Sequence, residues 1–142
     1  MKNTCLILAL LVSTIGFAQK ESLLEVQFSS ITRGESEYLT LTADSVKYFV
    51  QNRIKNSQLE RSRLINSKEW KSLESIVKSI DLTKMRSIVS PSQKRQYDGA
   101  RHSSIVVISN LGSYNHLFDD EEPHESLIDL MKCLQNIRKR TK

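Results

Sequence analysis

The sequence predicts an α+β domain: an antiparallel sheet of about five to six strands with two main helices packed on it. Two observations carry this reading. Strand-like alternation of apolar and polar residues fills the region just after residue 18 and returns near residue 104. Each of these regions is followed by a stretch with helical apolar spacing. The expected order is β-β-β-(β)-α-loop-β-β-α, within one domain spanning residues 19–142.

The first strand is read from Leu24, Val26 and Phe28, which alternate with polar residues. Arg33-Gly34-Glu35-Ser36 breaks the pattern as a turn. Tyr38 to Thr42 alternates again, and Ala43-Asp44 closes a tight hairpin onto a strand faced by Val46, Tyr48 and Val50. Lys55-Asn56-Ser57 is the next turn. Residues 58–65 carry Arg61 and Arg63 on one face, which suits an edge strand, where charge discourages edge-to-edge pairing.

A helix is expected next. Asn66 or Ser67 caps it, Glu69 sits in its first turn, and Trp70, Leu73, Val77 and Ile80 form its apolar stripe, with Trp70 as a core anchor. Asp81 caps a further short turn carrying Leu82 and Met85. Residues 87–102 show little pattern, with Pro91 and Gly99 as breakers; loops of that length are uncommon in a compact domain and are often functional. Ile105-Val106-Val107-Ile108 is apolar on both faces, so that strand is expected to be central and covered. Residues 113–118 return as its hairpin partner, with Tyr114, His116 and Phe118 on one side. Pro123 suits the first turn of a final helix whose apolar face is Leu127, Leu130, Met131, Leu134 and Ile137. Acids lead into this helix and Arg138, Lys139 and Arg140 end it, the polarity the helix dipole favours.

Residues 1–18 read as a cleavable secretory signal peptide. Lys2 gives the positive start, Cys5 to Phe17 the apolar run, and Gly16 and Ala18 the small residues before a cleavage site. The mature protein is then expected in the periplasm or outside the cell, with no membrane span after cleavage. Of the two cysteines, Cys5 leaves with the signal, so Cys133 has no internal disulfide partner. Cys133 lies among apolar neighbours and reads as a small buried residue. The net charge of +5 is unevenly spread. Lys84, Arg86, Lys94, Arg95 and Arg101 form a basic stretch; Asp119, Asp120, Glu121, Glu122 and Glu125 form an acidic one; the two read either as solvated loops with helix-end complementarity or as blocks facing each other across the fold. Nucleic acid is excluded as a partner by export and by the lack of a basic motif interleaved with aromatics.

Four constellations bear on chemistry. Imidazoles and carboxylates in His116, Asp119, Asp120 and His124 are the residue types that hold divalent ions. Their spacing matches no ligand motif, so no metal is assigned, and the acids are read as leading into a helix. Asp98-Gly99 reads as a turn, and Asp98 with His102 is the available acid–base pair. No nucleophile elbow, metalloprotease helix, phosphate loop or dinucleotide fingerprint accompanies it, so no catalytic residue or cofactor is assigned. Arg33 at the end of the first strand is expected to pin a buried carboxylate, with Asp98 or Asp119 as partner. Arg33, Asp98, Arg101 and Asp119 together form a structural or recognition cluster.

These features carry a resemblance. Thr32-Arg33-Gly34, Glu69-Trp70 with Leu73, Ile80-Asp81-Leu82, Ser90-Pro91-Ser92 with Arg95, Tyr97-Asp98-Gly99-Ala100, and Tyr114 with Phe118-Asp119 and Pro123 follow in order. The chain resembles a group of uncharacterised small exported proteins of flavobacteria and their relatives. That group reads Phe-Asp-His-Gly before a proline pair, where this chain has Phe118-Asp119-Asp120-Glu121-Glu122-Pro123. The histidine that would have favoured a metal is missing at 120. The resemblance implies that Arg33, Asp98 and Asp119 belong to one shared framework, and it brings no activity with it.

The expected function is therefore a non-catalytic binding or interaction module for an envelope or extracellular protein or ligand. The basic loop 87–102 and the acidic turn 119–125 form its candidate surface. Two alternatives stand beside it. One is a small metal-dependent or hydrolase-like envelope enzyme built on Asp98, His102, His116 and Asp119. The other is a structural envelope component.

Overall fold

The computed structural model describes residues 20–97 and 100–142, the side chains of Arg95 and Tyr97 excepted. The signal-peptide segment and Asp98-Gly99 lie outside the described residues. The fold is α+β, a six-stranded antiparallel sheet with two main helices. The strands are β1 (Leu23–Ile31), β2 (Glu35–Thr42), β3 (Ser45–Asn52), β4 (Ser57–Leu64), β5 (His102–Ser109) and β6 (Gly112–Asp119). The helices are α1 (Ser67–Lys78) and α2 (Ile128–Thr141). Across the sheet the order is β4-β3-β2-β1-β5-β6. Strands β1 to β4 form a meander, which leaves one edge of β1 open. The chain then passes through α1 and the long loop, and β5 fills that edge antiparallel to β1.

One face of the sheet makes the core. Val26 and Phe28 of β1, Leu39 and Leu41 of β2, Val46 and Tyr48 of β3, Ile105 and Val107 of β5, and Phe118 of β6 are buried there, together with Leu73 and Val77 of α1 and Leu130, Leu134 and Ile137 of α2. The period-two and helical stripes read from the sequence supply nearly all of these positions. Trp70 and Cys133 are only partly buried and pack at the core's border. Burial raises the pKa of the Cys133 thiol, with the Glu69 carboxylate adding to it, so the thiolate is disfavoured.

Helix α1 starts as its sequence implies. Asn66 Oδ1 accepts from the Glu69 amide at 2.8 Å, and the Glu69 carboxylate accepts from the Asn66 amide at 3.3 Å, a reciprocal capping box. The turn between β3 and β4 places Asn56 at φ 47°, a left-handed conformation that asparagine tolerates. Strand β4 is an edge, as its arginines suggest. Arg63 does more than deter aggregation: it holds Glu69 of α1 through two bonds at 2.8 and 3.0 Å.

Five local expectations are corrected. A bulge between Leu23 and Glu25 breaks the register of β1 on β5, so Leu24 is half exposed while Leu23 packs on the core. The β1–β2 turn is shorter than expected, because Glu35 and Ser36 already pair with Asn52 and Gln51. Asp81 precedes the 3-10 turn Leu82–Ser87 without capping it; its carboxylate takes Thr83 Oγ1 at 2.6 Å instead. The last helix begins at Ile128 rather than near Pro123, because a separate 3-10 turn, Glu125–Leu127, comes first and is capped by His124. Finally, Val106 and Ile108 lie on the sheet face opposite the two helices, so only one face of β5 is covered by the helical layer.

Candidate functional site

Paired positions in an antiparallel sheet fall on one line across it, and the line Ile31–His102–Asp119 marks one end of β1, β5 and β6. Three connections converge there: the β1–β2 turn, the segment entering β5, and the turn leaving β6. They enclose an open cleft of about 690 Å³ lined by Ile31, Thr32, Arg33, Gly34, Ala100, Arg101, His102 and Asp120.

Each wall has a local cause. Thr32 Oγ1 accepts from the Glu35 amide at 3.0 Å, and the Thr32 amide donates to the Glu35 carbonyl at 2.7 Å, closing the β1–β2 turn tightly. That turn presents Arg33 to solvent. Asp120 adopts φ 53°, and its amide donates to the Arg101 carbonyl at 2.9 Å while its Oδ1 accepts from the Arg101 amide at 3.1 Å. The Ser103 hydroxyl donates to the Asp120 carbonyl. The left-handed residue lets the chain leave β6 and double back along β5, an arrangement an Asp tolerates better than most residues.

Arg101 points its guanidinium across the cleft floor, 2.9 Å from Glu35 Oε1 and 3.4 Å from Ser30 Oγ. The bond from Arg101 holds the Glu35 carboxyl below its ordinary pKa against the opposing effect of burial. Arg33, His102 and Asp120 line the cleft around the Arg101–Glu35 pair.

The sequence-derived cluster separates into two roles. Arg33 and Arg101 line the cleft. Asp119 lies behind it, 2 % exposed, and accepts from Ser92 Oγ at 2.5 Å and from the Lys94 amide at 2.7 Å. It fastens the long loop to the sheet. Asp98 lies outside the described residues, so a pin from Arg33 to Asp98 does too. Arg33 itself is exposed on the rim. The basic and acidic stretches adjoin: the backbone amides of Lys94 and Arg101 donate to the carboxylates of Asp119 and Asp120.

The four residues considered for a metal do not converge. His116 is buried on the helical side of β6, stacked on Phe118 with centroids 5.5 Å apart. Asp119, three residues on, points to the opposite face. Asp120 lines the cleft, and His124 Nδ1 caps the turn at Ser126. Among the described residues no group of three or more metal-ligating side chains is assembled.

Sequence reading missed a second polar centre. Arg138 of α2, almost buried, lies 3.3 Å from Glu37 Oε1 and bonds Glu121 through both nitrogens at 2.7 and 2.8 Å. Its guanidinium carbon also stands 5.6 Å from the centre of the Phe28 ring. Burial raises the pKa of Tyr48, with the Glu37 carboxylate adding to it. For Glu121 burial acts upward, but the bonds from Arg138 and Gln135 outweigh it and hold the carboxyl below its ordinary range. The signal was phase. Glu37 stands two residues before Leu39, and Arg138 stands four after Leu134, so both occupy core-facing positions.

Compared with protein-family models, with curated proteins and with solved structures, the chain shows no match.

Proposed function

We propose that this protein is a non-catalytic binding module working in the periplasm or outside the cell, and that it binds through the cleft between the β1–β2 turn and the start of β5. The observation that carries the reading is the convergence of Arg33, His102 and Asp120 from three separate connections on one open cleft. Guanidinium and imidazole groups share this lining with a carboxylate, which suits a polar ligand or a peptide segment carrying an acidic group. The fastening of the neighbouring loop by Asp119 supports it, because a wall held by buried hydrogen bonds gives a binding surface its shape before the ligand arrives.

The enzyme alternative draws less support. It needs His116 and Asp119 on one cavity, and these two side chains leave β6 on opposite faces. Nothing specific favours a purely structural role.

The test is capture from an envelope extract by tagged protein, compared with the variant carrying Arg33→Ala and His102→Ala. Both substitutions are at exposed positions, so the fold should persist. Partners or ligands lost from the variant alone support the cleft. The same bound set from both proteins would end the assignment.

A further inference from the structure

The outer side of the helical layer carries charge predominantly of one sign. Lys68, Lys71 and Lys78 of α1 and Lys132, Lys139 and Arg140 of α2 are all exposed. At about 3.6 residues per turn, each stands about 120° or more around its helix from the core-facing Leu73 or Leu134. Two acids share this solvent side with the six cations: Asp129, exposed and 3.9 Å from Lys132, and Glu74, partly exposed. Glu69 is largely buried and is held by Arg63 as well as Arg140. Among the described residues Lys68, Lys71, Lys78 and Lys139 form no ion pair. Glu122 and Glu125 lie before α2, in the chain that leads to it. Lys68, Lys132 and Arg140 line one open groove of about 560 Å³ between the helices, so cations of α1 and α2 share a surface. Lys71, Lys78 and Lys139 stand outside that groove and widen the patch. The far face of the sheet is different, because Lys47 and Arg86 lie there together with Glu25 and Glu60.

We infer that the helical layer is an electrostatic docking surface for a bilayer bearing anionic phospholipid headgroups. Charge complementarity selects the partner: each cation brought close to such a surface multiplies binding by about fivefold. Breadth selects a surface over a single acidic strand. A linear polyanion lying between the helices reaches Lys68, Lys132 and Arg140, whereas a plane of headgroups across both helices meets all six cations. All but Arg140 are lysines, whose point charges on flexible stems meet mobile headgroups without a fixed geometry. Among the described residues Ile128, 40 % exposed, is the one large exposed hydrophobic on the two helices, so the contact is charge at the surface rather than insertion. Neither helix lines the cleft, so this surface is separate from it.

The experiment is co-sedimentation of the protein, expressed from its full sequence, with sucrose-loaded vesicles of equal parts phosphatidylcholine and phosphatidylglycerol. Binding is expected there, about tenfold or more tighter than to phosphatidylcholine alone. Salt at about 1 M, which screens charges beyond about 3 Å, should release the protein. Lys71→Ala combined with Lys78→Ala and Lys139→Ala, at exposed positions outside the groove, should weaken binding about a hundredfold with an unchanged circular dichroism spectrum. Lys47→Ala on the far face is the control and should keep the parent's affinity. Equal binding to both vesicle types, or binding to neither, overturns the proposal. So does a triple variant that binds vesicles like the parent, because the contact then lies in the groove or elsewhere. A loss for Lys47→Ala as large as that for each helical lysine also overturns it, since net charge alone then explains the binding. Dextran sulfate probes the linear occupant: binding to it that the triple variant retains, with none to either vesicle, would assign the groove to a linear polyanion instead.

Discussion

The guanidinium of Arg138 stands 3.3 Å from Glu37 Oε1, joining the last helix to the second strand inside the core layer. The two side chains are 12 % and 7 % exposed, so neither is well solvated. Glu121 completes the arrangement from the turn after β6, and Lys142 approaches Glu37 at 3.5 Å. Three distant stretches of chain are thereby tied at one point.

Removing the cation alone should be costly. Arg138→Met leaves Glu37 buried beside Tyr48 and the half-exposed Lys142, and breaking a buried pair in this way costs about 3–5 kcal/mol. Urea denaturation measures it. Adding Glu37→Gln to Arg138→Met should recover part of the loss, since the uncompensated charge is gone. A double variant less stable than Arg138→Met would contradict this account.

Acid should weaken the fold through Glu35, Glu69 and Glu121. The pKa of each is lowered in the folded protein: by the Arg101 bond for Glu35, by the Arg63 bond for Glu69, and by Arg138 and Gln135 against burial for Glu121. Below their ordinary value near 4.5 the unfolded chain binds more protons, so stability rises with pH in that window. The contribution is present above pH 4.5 and lost as pH falls through the lowered folded values. Denaturation midpoints from pH 7 down to pH 3 should be level and then drop. Glu69→Gln should make the drop shallower.

The capping box gives a smaller, local effect. Asn66→Ala removes the acceptor for the Glu69 amide and should cost about 1 kcal/mol. Asn66→Asp should cost much less, because the carboxylate still accepts and favours the positive helix end.

Asp119 should control the long loop rather than the whole fold. Asp119→Ala removes the acceptor for Ser92 Oγ and the Lys94 amide. Hydrogen exchange at Lys94 and its neighbours should accelerate by tenfold or more, matching about 1.4 kcal/mol of lost protection. Exchange in the middle of β1 should change far less. Equal acceleration throughout would make Asp119 a global determinant instead.

Gly34 offers a contrast with its place in the Arg33-Gly34 motif. It does not have positive φ, and an added Cβ would meet Ile54 Cδ1 at 2.6 Å. Ile54 is 85 % exposed, so its flexible end can swing away. Gly34→Ala should therefore change stability by less than about 1 kcal/mol. A larger loss in thermal denaturation would mean that the turn itself resists the substitution.

The sequence by itself determined the elements of this protein. Alternation in β2 and β3, the apolar run of β5 and the stripes Leu73–Val77 and Leu130–Leu134–Ile137 are local patterns, and each element must bury an apolar side whatever lies across from it. The Asn66 cap and the edge character of β4 were legible for the same reason. Tertiary structure alone decided three things. The bulge at Leu23–Glu25 reverses which leucine faces inward, because register depends on the partner strand β5. The burial of Glu37 depends on an arginine about a hundred residues later, and no local pattern identifies a partner at that distance. The candidate site exists only where the ends of β1, β5 and β6 come into line. The sequence brought forward Arg33, Arg101 and Asp119 as a cluster; the fold placed two of them on a cleft and set the third behind it as the fastening of a loop.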